Sequence, residues 1–133
     1  MKRDMNLWRK ILFYVEEHYE LGDFPMCDVE MEDYDEYIVR EHCKLLIEAQ
    51  LLNDLDPKTA KVLTLSHGGI YVGNLTNAGY DFLETIRPDT IWNKTKETIA
   101  KEGLPLMIKT IGIVASSIIK STTEGITKAI IGS

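Results

Sequence analysis

LTNAGYDFL, residues 75–83, joins two kinds of chain. Before it lies IYVGNL (70–75), a run with the composition of a β-strand. After Thr76 and Asn77, either of which can cap a helix N-terminus, Phe82, Leu83 and Ile86 recur at helical spacing. Gly79 lies in the first turn, where the missing Cβ permits close approach of another backbone. The stretch is therefore expected to be the seam between a β-ribbon and a helix over 77–87. Working backwards, KVLTL (61–65) is a second β-rich segment and SHGG (66–69) is the expected hairpin tip, so 61–75 reads as a hairpin. Gly68-Gly69 is not a phosphate loop, because no Lys-Ser/Thr follows and the next segment is a strand.

Two helices are expected before the hairpin. In 4–20, Met5, Trp8, Ile11, Leu12, Val15 and Tyr19 form one apolar stripe, with Asp4 as N-cap and Leu21-Gly22 as the stop. In 35–50, Ile38, His42, Leu45, Leu46 and Ala49 share a face, and LLNDLDPKT (51–59) leaves the helix and turns. Between them, 23–36 is strongly acidic and broken by Pro25. Cys27, Val29 and Met31 alternate with acids, so this segment reads as a solvated loop or a short edge strand.

EHCKLLIEAQLL (41–52), the hairpin and LTNAGYDFL, in that order, resemble the winged-helix signature of small bacterial regulators. Leu75, Thr76, Gly79 and Leu83 match its closing motif. Gln50 stands where that signature has glycine, and must either adopt a left-handed conformation or cap differently. Over residues 1–100 the chain is similar to an uncharacterised winged-helix group of phages and prophages. The matching pieces are MKRDMNLWRKIL (1–12), the His-x-x-Leu-Leu-x-x-Ala run (42–49), LTNAGYDFLETIR (75–87) and DTIWNKTKE (89–97). The resemblance implies a fold, since the group has no established activity.

The expected architecture is α+β: a winged-helix-like domain over 1–87 with a C-terminal helical extension over 88–133. Pro88 opens a helix to 102 and Gly103 ends it. A last helix runs from about Leu104-Pro105 to Ser121, resuming after Gly125. Met107, Ile111, Val114 and Ile118 keep the four-three-four spacing of a helical seam. That seam can dock on its own domain, join two copies through 104–121, or lie on a membrane surface. No run is long and apolar enough to span a membrane.

Charge bears on partners. Residues 1–87 carry 9 Lys+Arg against 17 Asp+Glu, and 88–133 carry 6 against 4. An acidic body repels phosphate, so nucleic acid is disfavoured. The first expectation is a non-catalytic accessory protein that modulates a host or phage protein by contact. Asp28, Glu30, Glu32, Asp33 and Asp35 would form one contact surface, and Ile111, Val114 and Ile118 another. The alternative is a DNA-binding transcriptional regulator using helix 35–50 and wing 61–75, with Arg40, Lys44, Lys58, Lys61 and His67 on the duplex. Helix 35–50 starts with Tyr34-Asp35-Glu36-Tyr37, whose carboxylates oppose that use.

Catalysis is not expected. His42 reads as a packed histidine, and Cys43 beside it points elsewhere on the helix, so they form no dyad. The pairs Asp33/Asp35 and Asp54/Asp56 are ordinary for acidic loops. Cys27 and Cys43 are too few for a disulfide framework, and His18, His42 and His67 are scattered. No cofactor motif or metal spacing is present. No signal-peptide pattern opens the chain, so a cytoplasmic location is expected.

Overall fold

Asp4 starts the first helix as a capping residue should: its carboxylate accepts the Asn6 and Leu7 backbone N–H groups at 2.9 and 3.2 Å. A computed structural model describes residues 1–63 and 68–131. Helices α1 (Met5–His18), α2 (Glu36–Glu48), α3 (Pro57–Leu63), α4 (Asn77–Ile86), α5 (Asp89–Lys101) and α6 (Ile108–Ile131) accompany strands β1 (Cys27–Asp28) and β2 (Tyr71–Val72). The class is α+β. The chain forms two compact units, Met1–Leu83 and Glu84–Ser133, with the division inside α4, four residues before the boundary expected from the sequence.

In the first unit, α1 buries Met5, Leu7, Trp8, Ile11, Leu12 and Val15. It packs against α2, whose buried residues are Val39, His42, Cys43 and Leu46. The α2 stripe is thus rotated from the expected one: Ile38 is exposed and Val39 and Cys43 face inward. Asp35 caps α2 by accepting from the Tyr37 and Ile38 N–H groups. Each capping carboxylate satisfies two orphan donors of its own helix, and tertiary contact covers the apolar stripe.

The expected hairpin over 61–75 is corrected. Lys61–Leu63 belongs to α3, not to a strand, and Thr64–His67, with the rest of KVLTL and the first half of the tip, lies outside the described residues. Asp-Pro at 56–57 is a helix-start signal that outcompetes the β-branched residues after it. The Asp56 carboxylate accepts the Lys58 N–H at 2.8 Å, and its carbonyl accepts the Ala60 N–H at 2.9 Å. Deprived of that partner, β2 pairs antiparallel with β1, in the register Cys27 with Val72 and Asp28 with Tyr71. The alternation of Cys27 and Val29 does mark a strand. Beyond β2, a bridge joins Leu52 to Leu75 and Gly73 N–H donates to the Asn53 carbonyl.

The seam at 75–83 is built as its residues require. Leu75 is buried, and the Thr76 hydroxyl accepts the Gly79 N–H at 2.9 Å while donating to the Gln50 carbonyl at 2.6 Å. A Cβ on Gly79 would overlap the Leu51 carbonyl oxygen, so only glycine fits. Gln50 adopts the left-handed conformation, with φ of 62°.

In the second unit α5 packs on α6. Trp92, Thr95 and Ile99 of α5 are buried, as are Ile111 and Ala115 of α6. Pro88 is the N-cap of α5 rather than its first residue, and α6 is continuous through Gly125. No helix among the described residues is long and apolar enough to cross a membrane.

Candidate functional site

The acidic segment occupies one side of the β-pair. Asp28, Glu30 and Glu36 line a groove of about 390 Å³ with Val39 and Ile70 beneath it and Tyr34 at its side. The Lys10 ammonium lies 5.2 Å from the Tyr34 ring centroid. Asp28 is half-buried, and Glu30, Glu32, Asp33 and Asp35 are exposed. Asp35 spends its carboxylate on the α2 cap, so the contact surface expected at 28–35 rests on the other four.

The outer face of α2 is close to neutral. Arg40 Nη2 pairs with Glu36 at 3.2 Å and Nη1 donates to the Gly69 carbonyl at 3.4 Å. Lys44 Nζ pairs with Glu41 at 3.1 Å. Both cations line a second groove, of about 380 Å³, where Ile47, Leu55, Leu63 and Val72 supply apolar surface. Lys58 and Lys61 are exposed on α3 rather than on a β-wing, and His67 lies outside the described residues. Of the five residues expected to face a duplex, the structure brings only Arg40 and Lys44 to one groove.

His42 is fully buried and structural. Its Nε2 accepts the Asp4 N–H at 2.8 Å, and its Nδ1–H donates to the Ile38 carbonyl at 2.8 Å. This pairing fixes the neutral ring with its proton on Nδ1. Cys43 and Cys27 are buried free thiols. Burial, then the neighbouring Cys27, pushes the Cys43 thiol up to about 12. Burial, then Asp28 and Glu20, pushes Cys27 up to about 11. Neither offers a nucleophile near neutral pH. Among the described residues, no three His, Cys, Asp or Glu side chains converge to hold a metal.

The seam residues of α6 divide. Ile111 is fully buried in the core of the second unit. Val114 and Ile118 are half-buried beside it. Sequence reasoning missed Leu21 and Phe24, which are 86% and 49% exposed. Two large apolar residues beside Gly22 and Pro25 were the available signal, since a loop cannot hide them.

A family model described as "Hypothetical protein (DUF2513)" matches residues 2–105. The chain belongs to this family. The DUF2513 match takes in α1 through α5 and stops before α6. An "Uncharacterized protein" of Haemophilus influenzae is 34% identical over 119 residues, covering 90% of this chain and 96% of the relative. No solved structure matches the chain. The DUF2513 membership thus extends over both grooves and carries no activity with it.

Proposed function

We propose that this DUF2513 protein is a non-catalytic accessory protein of phage or prophage type, built on a winged-helix-like scaffold. It works by contact with a host or phage protein through Asp28, Glu30, Glu32 and Asp33. The scaffold reading is supported by the order α1, β1, α2, β2, α4 and by the separate Leu52–Leu75 bridge, which ties the exit of α2 to the chain entering α4. In this reading α3 stands where the first wing strand would run.

One observation carries the choice of protein over DNA. Arg40 and Lys44, the cations of α2, are each matched by a carboxylate one turn earlier, while no ion pair among the described residues engages Asp28, Glu30, Glu32 or Asp33. A duplex approaching α2 therefore meets Asp35, Glu36 and neutralised cations, whereas a basic protein meets uncompensated acids. Surface ion pairs contribute little to stability, but they cancel the local potential that steers a polyanion.

The test compares the wild type with Asp28→Lys/Glu30→Lys in affinity capture from host and phage-infected lysate, alongside a DNA mobility shift. The reading expects a captured protein that the double variant loses, with no shift at low salt. A salt-dependent shift abolished by Arg40→Ala/Lys44→Ala would overturn it in favour of a DNA-binding regulator.

A further inference from the structure

The groove beside β1 has a lining that narrows what can fill it. Val29 and Ile70, both buried, form its floor. Asp28 and Tyr71 are Cα partners across the β-pair, so their side chains stand on one face of it. Glu30, two residues along from Asp28, shares that face. Burial alternates accordingly: Cys27 and Val29 are buried, Asp28 is half-buried and Glu30 is exposed. The Tyr71 ring lies against Gly69, where a Cβ would approach it to 2.7 Å, so the missing Cβ makes room for the ring at the groove. Tyr34 supplies a second ring at the side. That ring already draws a cation, the Lys10 ammonium at 5.2 Å from its centroid.

The charges of the lining are unequal. Glu36 is matched by Arg40 at 3.2 Å, whereas no ion pair among the described residues engages Asp28 or Glu30. The groove of about 390 Å³ thus combines an apolar floor, two phenol rings and two uncompensated carboxylates. An arginine side chain uses all three. Its methylene stem lies on apolar surface, its guanidinium plane stacks on a ring, and its N–H fork donates to carboxylates. Lysine satisfies the charge but not the plane. A phosphate or carboxylate is repelled, and an apolar side chain would leave the carboxylates desolvated and unpaired. We propose that this groove receives an arginine side chain of the partner protein. The inference rests on the contact reading above and adds the residue that the partner must present.

Titration of the isotope-labelled full chain with N-acetyl-arginine methylamide, followed by NMR amide shifts, tests it. The expected result is saturable movement centred on Asp28, Val29, Glu30, Tyr34 and Tyr71. For a single side chain the affinity should be millimolar, weakening as salt rises. The same derivative of citrulline, which has the shape of arginine without its charge, should not bind, and that of lysine should bind several-fold more weakly. Asp28→Asn/Glu30→Gln should lower the affinity at least about tenfold, with thermal unfolding unchanged. Tyr34→Leu should lower it about threefold. No shift at the highest ligand concentration overturns the proposal, as do shifts spread over the acidic surface at large or equal binding by citrulline or lysine. Capture of a lysate protein that Asp28→Lys/Glu30→Lys loses, without an arginine-dependent shift at the groove, also overturns it and leaves the contact reading in place. Arginine binding at the groove with no captured protein supports the groove assignment and counts against the contact reading.

Discussion

At the scale of the residue, Gln50, Thr76 and Gly79 form one device. Gln50 turns the chain out of α2 with positive φ, its carbonyl accepts the Thr76 hydroxyl, and Gly79 lets α4 approach the Leu51 carbonyl. The left-handed conformation costs a non-glycine residue roughly 1–2 kcal/mol, and glycine gives part of that back as unfolded-state entropy. Gln50→Gly is therefore expected to raise stability by about 0.5–1 kcal/mol, measured as the urea midpoint at constant slope. Gly79→Ala should lower it by about 2 kcal/mol or more, because the obstacle is backbone and cannot step aside. Thr76→Val, which removes both hydroxyl bonds, should cost about 1–2 kcal/mol. A Gly79→Ala variant as stable as the wild type would contradict this geometry. These roles were legible because each leaves a local mark in residue type: a cap, a glycine and a missing glycine.

At the scale of the element, His42 and Ile111 show what docking adds. His42 joins the start of α1 to the body of α2 through two backbone partners, so His42→Ala leaves a cavity and the Asp4 N–H without its acceptor. It should cost about 3 kcal/mol by chemical denaturation. Ile111→Ala should cost a similar ~3 kcal/mol, while Ile113→Ser, at a site 61% exposed, should stay within about 0.5 kcal/mol. Equal effects at 111 and 113 would mean that α6 is not docked on α5. The apolar periodicity of α6 was plain in the sequence, but a seam looks the same whether its own unit or another molecule covers it. Helix α3 was misread for a related reason. Short β-branched runs suit either state, and here the Asp56-Pro57 start signal decides.

At the scale of the whole molecule, buried thiols link stability to pH. Both cysteines are raised above the ordinary thiol value of 9.0, Cys27 to about 11 and Cys43 to about 12. The folded state therefore holds its thiol protons where the unfolded chain releases them. This contribution is fully present below about pH 9 and is lost as pH rises towards 11–12. Tm should fall more steeply between pH 9 and 11 in the wild type than in Cys27→Ala/Cys43→Ala. Native thiols should also resist alkylation at pH 8, reacting only after denaturant is added. Identical pH profiles for the two proteins would remove the cysteines from the account.

The sequence by itself determined the α+β class, the capped start of α1, the seam at 75–83 and the acidity of segment 23–36. The α1 cap acts within a few residues, and the seam is marked by residue type at Thr76 and Gly79 even though their partners Gln50 and Leu51 lie far back in the chain. The pairing of β2 with β1, the neutral outer face of α2, the burial of Ile111 and the exposure of Leu21 and Phe24 were decided only in three dimensions. Each depends on which distant surface arrives opposite a given side chain, and hydrophobic burial is non-directional, so periodicity marks a face without naming what will cover it.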